Sequence, residues 1–177
     1  MNLKELADRA IAFGLNQGHL SGHGANTQPQ SPSPFVSGVD EVEVDKAGGK
    51  VTLTDYAAVV DCGTVINVPL ARVQPEGGLV QGVGMALTEQ VVYDARGHMR
   101  TDSFMHYKIP SRLDVPDMRV EFMPSYEPTG PFGAKSIGEV VINTPSPAIA
   151  SAVAHATGRY VRSLPILPEK VLLGEEG

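Results

Sequence analysis

The 177 residues carry 14 lysines and arginines against 20 aspartates and glutamates, a net charge of −6, with 42% apolar and 19% charged residues. That balance describes one globular domain with a real core, and it offers nucleic acid no basic patch to hold. A single cysteine excludes an intrachain disulfide framework, no apolar run is long enough to span a bilayer, and the mixed-charge start MNLKELADRA has no secretory apolar region, so the expectation is a cytoplasmic protein with no membrane partner.

In chain order, Leu3, Leu6, Ala7, Ala10, Ile11 and Leu15 recur at helical spacing, with Asn2 placed as an N-cap. Residues 17–34 are rich in Gly, Ser, Pro, Asn and Gln, which makes them an exposed arm. Residues 1–34 are therefore read as an N-terminal helix and flexible arm, and residues 35–177 as the domain proper. His19 and His23 stand four apart inside the arm, but GHLSGHG is not a helical sequence and no third ligand is near, so no metal site is assigned.

Phe35–Asp45 and Lys50–Asp61 alternate or run β-rich around a glycine turn, and they predict a β-hairpin. Cys62 follows and is read as a small buried apolar side chain rather than a nucleophile. The longest predicted helix is Leu70–Val92, in which Pro75 is tolerable only near the start. Its glycines, Gly77, Gly78, Gly82 and Gly84, each cost about 1 kcal/mol relative to Ala in a helix. They call for close packing by another backbone or by a ligand, and Gln81 sits among them with both a donor and an acceptor.

A turn at DARG follows, then a strand over Asp117–Pro124, a helix over Pro147–Ala156, an edge strand over Arg159–Leu167 and a last helical turn over Pro168–Leu173. The mixed order predicts an α+β fold, a mixed sheet with packed helices. The stretch with most chemistry in it is Phe132–Glu139, FGAKSIGE. Its small residues admit close approach to the backbone, and its one carboxylate has the setting of a general base, although a solvated surface turn has the same composition.

Five blocks, VVDCGTVIN, EGGLVQGVGMALTEQVVYDARG, YKIPSRLDVPDM, YEPTGPFGAKSIGE and PAIASAVAHATG closing on Gly158, together resemble the C-terminal part of the large subunit of molybdenum hydroxylases, the xanthine dehydrogenase and aldehyde oxidoreductase family. The resemblance runs from about Phe35 to the C-terminus and, more weakly, over the segment before it. It implies the second molybdopterin-binding domain of that family and a half-site for a molybdenum–molybdopterin cofactor, the cytosine dinucleotide form among those allowed, shared with a partner chain. It implies that Glu139 is the catalytic base beside the metal, in hydroxylation of an aldehyde or N-heterocycle. It further implies that the loop backbone at Lys135, Ser136, Ile137 and Gly138 lines the cofactor, that Gln81 hydrogen-bonds near the metal, and that the helix glycines make room for the cofactor.

The implied partners are a larger molybdopterin-binding subunit together with iron–sulfur and FAD subunits, since the sequence has no cysteine cluster and no flavin domain. The sequence departs from the family where Asn67-Val68-Pro69 stands in place of Asn-Pro, and again at Val73–Pro75. Two readings follow. The chain is a C-terminal fragment or split subunit, silent alone and active when docked; or it is an isolated domain without cofactor, a binding or structural module. The intact FGAKSIGE favours the first.

Overall fold

The computed structural model describes residues 2–12, 23–25, 27 and 30–174. His19 and the end of the predicted first helix lie outside them. Helix α1 spans Leu3–Ala12, and Asn2 and Glu5 form a reciprocal cap, each accepting the other's backbone N–H.

Strands β1 (Phe35–Val44) and β2 (Val51–Asp61) pair antiparallel, as the alternation predicts. Their turn is held by the Asp45 side chain accepting from Ala47 N–H and by Gly49 at φ 74°. A bulge sets in between Glu41 and Val42, so that Val42 faces Leu53 and Thr54 is left over; its hydroxyl donates to the Glu41 carbonyl. The extra residue explains why the buried positions of β2 run Leu53, then Tyr56, Ala58 and Val60. Strand β3 (Met118–Phe122) lies parallel to β2 on its other side, giving a three-stranded mixed sheet in the order β1-β2-β3.

Helices α2 (Val68–Leu87) and α3 (Pro145–Thr157) cover one face of this sheet. Leu79 and Val83 of α2, Ile149 and Val153 of α3, and Val120 of β3 meet Tyr56 and Val60 in one continuous core. The α+β expectation holds. The limits of α2 do not match the predicted Leu70–Val92. It starts at Val68, because Asn67 caps it by accepting from Leu70 N–H at 3.1 Å, and it ends where Thr88 and Glu89 turn back onto the Gly84 carbonyl. The Asn-Val-Pro departure thus keeps a capping asparagine and sets Pro69 in the first turn, where a missing N–H is harmless. Pro75 is not near the start; it sits inside the helix and is fully buried.

The predicted strand Arg159–Leu167 does not form. Among the described residues no strand lies beside it, and its backbone is engaged elsewhere: Ile166 N–H donates to Ala86 O at 2.7 Å, and the Lys170 ammonium donates to the carbonyls of Ser163 and Pro165. Ile166 is buried in the core, and α4 (Pro168–Leu173) closes the chain with Val171 inside. Cys62 is buried and its thiol is pushed up, first by burial, which agrees with a structural role.

Candidate active site

The loop from Gly130 to Glu139 lies across the end of β2, fastened backbone to backbone. Lys135 N–H donates to Cys62 O at 2.7 Å, Thr64 N–H to Gly133 O at 2.8 Å, and Gly63 and Ala134 form an isolated antiparallel bridge. Glycine is required at this seam. Gly133 has φ 81°, and a Cβ there would strike the Tyr126 ring and come within 2.7 Å of the Thr64 hydroxyl. Phe132, beside it, holds φ 55° and is 84% exposed, a conformation unusual for a residue with a side chain.

Beneath the loop sits an ion pair. The Lys135 ammonium donates to Asp61 Oδ2 at 2.6 Å, with Lys135 only 7% exposed and Asp61 18%. Asp61 Oδ1 also accepts from the Ser125 hydroxyl and from Gly63 N–H. The Lys135 bond first, then Ser125, hold the Asp61 carboxyl down at about 2. The ammonium also lies over the Phe35 ring, 5.0 Å from its centroid.

Beyond Lys135 the chain turns outward. Ser136, Gly138 and Glu139 are exposed and Ile137 is half-buried against the core. Gly138 O accepts from the Gln74 amide at 2.8 Å, and Glu139 O accepts from Ile142 N–H at 3.2 Å as the 3-10 turn Val140–Asn143 begins. The N–H groups of Ser136, Ile137, Gly138 and Glu139 make no hydrogen bond among the described residues, and neither does the Glu139 carboxylate. Next to the loop, Cys62, Thr64, the first two turns of α2 and Ala134, Lys135, Ile137 and Gly138 line an open cleft of about 440 Å³.

The candidate residues therefore divide. Ser136, Ile137, Gly138 and Glu139 present their backbone along one exposed edge. Lys135 directs its side chain to Asp61 and has its N–H occupied by Cys62 O. Gln81 is exposed on α2, two turns beyond Gln74, and makes no hydrogen bond to the loop. The reason expected for the helix glycines needs correction. A Cβ at Gly78 would strike Val141, one at Gly82 would come within 2.6 Å of Pro145, and one at Gly84 would strike Glu89, so those three are explained by packing within the chain. Gly77 alone faces open space, as Gly138 does.

Sequence reasoning missed Asp61, Ser125 and Gln74. Asp61 was legible only as the end of a strand; its partners lie 64 and 74 residues away. Among the described residues no group of three His, Cys, Asp or Glu side chains could hold a metal ion.

A family model described as the molybdopterin cofactor-binding domain matches residues 1–116. The chain belongs to this family. Its relatives include the probable hypoxanthine oxidase XdhD of Escherichia coli (strain K12), 37% identical over 164 residues, which are 92% of this chain and 17% of that protein. The putative xanthine dehydrogenase molybdenum-binding subunit XdhA of the same strain is 34% identical over 97% of this chain and 23% of its own length. Among solved structures, the aldehyde oxidoreductase from Desulfovibrio desulfuricans ATCC 27774 superposes with a TM-score of 0.74 at 35% identity, over 79% of this chain and 15% of that one. Quinoline 2-oxidoreductase from Pseudomonas putida 86 gives 0.71 at 34% identity, over 76% and 18%.

This molybdopterin cofactor-binding domain thus spans about a fifth of the length of the relatives it matches. The family model stops before the Phe132–Glu139 loop, whereas the two Escherichia coli alignments are long enough to include it.

Proposed function

We propose that this chain forms one wall of a molybdenum–molybdopterin site in a hydroxylase of aldehydes or N-heterocycles, and that Glu139 is the base of that site. The observation that carries the reading is the edge Ser136–Glu139: four successive N–H donors and one carboxylate, all without partners among the described residues, on a backbone pinned at both ends. A row of donors suits an acceptor-rich group, and the bare surfaces at Gly138 and Gly77 leave room for one to lie close.

The residues present fit the cofactor in that sense. When bound, the cofactor supplies the redox chemistry of the hydroxylation. The chain's part is to orient and to move a proton. The N–H groups of Ser136, Ile137 and Gly138 hold acceptor atoms of the group, and Gln81 offers its amide from the neighbouring helix. Glu139, free of hydrogen bonds within the chain, accepts the proton released as the substrate carbon is attacked. Lys135 contributes its backbone position and no ligand.

The segment 1–34 is proposed as an arm and residues 35–177 as the functional unit. The rest of the site comes from a larger molybdopterin-binding subunit, with iron–sulfur and FAD subunits carrying electrons, in the cytoplasm. In this reading the chain acts as a split or C-terminal portion and is silent alone. No helix among the described residues is long and apolar enough to cross a membrane.

The test is Glu139→Gln in the assembled enzyme. The amide keeps the shape and loses the proton acceptor, so kcat is expected to fall by at least about a hundredfold, with molybdenum content unchanged. Turnover close to wild type would end the assignment of Glu139.

A further inference from the structure

We propose that Asp61 and Lys135 act together as a positioning pair, a strut that sets where the Ser136–Glu139 edge leaves the core, and that Lys135 is not itself a cofactor ligand. This rests on the reading of Glu139 as the base.

The argument begins with burial. A lysine ammonium at 7% exposure needs its charge met inside the protein, and here one carboxylate oxygen at 2.6 Å and one aromatic face meet it from two directions. Three elements converge on that point. Asp61 is the last residue of β2, Ser125 follows β3, and Phe35 opens β1. The ammonium therefore touches β2 through Asp61 and β1 through Phe35, while the segment after β3 reaches it only through the Ser125 bond to Asp61, and it ties these to the residue immediately before the exposed edge.

A partly buried ion pair is a poor way to gain stability, because desolvating its charges offsets much of their attraction. It is a good way to fix a position, because the cost of breaking it is steep and directional. The surrounding backbone supports that purpose. The Lys135 N–H to Cys62 O bond and the Gly63–Ala134 bridge fix the main chain on the same side, while Gln74 grips Gly138 O at the far end. Between the two anchors lie only Ser136 and Ile137. An error at the near anchor is passed to Glu139 with little to absorb it, and a displacement of about 1 Å at a reacting group is enough to cost orders of magnitude in rate.

The experiment uses the assembled holoenzyme carrying Asp61→Asn, Lys135→Met, or both. Amide hydrogen exchange is followed at Thr64 and Lys135, molybdenum content is measured, and kcat and KM are determined separately. A strut predicts exchange at least tenfold faster at both amides in each single variant. Molybdenum content stays near wild type, and kcat falls about tenfold with KM little changed. The double variant is less impaired than the two single effects combined, because it leaves no charge buried alone. If Lys135→Met empties the site of molybdenum while Asp61→Asn leaves content and exchange untouched, Lys135 is a ligand and the proposal is wrong.

Should the single variants fail to accumulate, Ser125→Ala removes one partner of Asp61 with no change of charge. Faster exchange at Thr64 and Lys135 then supports the strut, and unaltered exchange overturns it. Exchange reads the anchor and Glu139→Gln reads the base, so the two ideas fail separately.

Discussion

Gly77 and Gly78 are neighbours on one helix with opposite surroundings, and this gives the sharpest test of the packing described above. Each is changed to alanine in turn. At Gly77 the new methyl meets nothing within 4 Å, so the helix gains what alanine gives over glycine, about 0.5–1 kcal/mol. For a chain of this length that corresponds to a rise in Tm of about 1–4 °C. At Gly78 the same gain is opposed. The methyl would run into Cγ2 of Val141, which is fully buried and has a stiff, branched side chain with no long end to swing away. Overpacking of this kind costs about 1–3 kcal/mol, so Gly78→Ala is expected to be neutral to about 2 kcal/mol destabilising. Urea or thermal unfolding of the two variants side by side measures the difference. Equal shifts of the same sign would refute the assignment of Gly78 to packing and of Gly77 to open surface. In the assembled enzyme the order should reverse for cofactor retention, since a methyl at Gly77 then stands on the face proposed to be covered.

The remaining expectations concern charge, capping and exposed surface. Asp40 lies on β1 opposite Tyr56 with one oxygen buried and unpartnered, and burial raises its carboxyl from 3.8 to about 6. A raised acid favours the protonated folded state, so its contribution weakens stability as pH climbs from about 4 to 6 and is flat above. Taken at face value that shift is about 3 kcal/mol, and solvent screening of this half-buried side chain trims it to about 1–2. Asp40→Asn should remove that slope in pH-dependent unfolding; an unchanged slope would dismiss Asp40 as its source. Asn67→Ala deletes the side-chain cap of α2 and should cost about 1 kcal/mol in the same assay, and no loss would mean the cap is idle. Phe104, Met105 and Leu113 stand almost fully exposed on one connection, so the chain without partners should self-associate and bind an apolar dye. A strictly monomeric chain that leaves the dye dark would contradict this.

Much of the fold was legible because it is local. The β1–β2 hairpin follows from alternation plus the Lys46–Gly49 turn, and α3 from its proline start and its Gly158 stop in the left-handed region. What the sequence concealed depends on distant partners. Residues 159–167 have a strand's composition, yet the backbone donor of Ile166 finds Ala86 and not a neighbouring strand. Pro75 looks like a start signal and lies mid-helix, because its ring is wanted in the core more than its N–H is missed. At the site, composition marked the FGAKSIGE loop as a candidate but left a solvated surface turn equally open, and it was the family resemblance that singled out Glu139. The direction of Lys135 could not be read, since it is fixed by Asp61 across 74 positions.

The same anchors bear on how the loop can bind anything at all. A flexible glycine-rich loop would have to be ordered on binding, at a cost of about 1–2 kcal/mol of backbone entropy per residue. This one has its entry bonded to Cys62 and its exit to Gln74, with glycines at Gly63, Gly130 and Gly133 packed so closely that no side chain fits at the seam. On the proposed reading its four N–H donors are therefore held in place by folding, and a bound group would not bear the ordering cost. That places Gly63 of DCG, Gly130 and Gly133 in one role. They let two backbones meet closely enough to hold the edge still, while Gly138, on the outer side, keeps the edge bare.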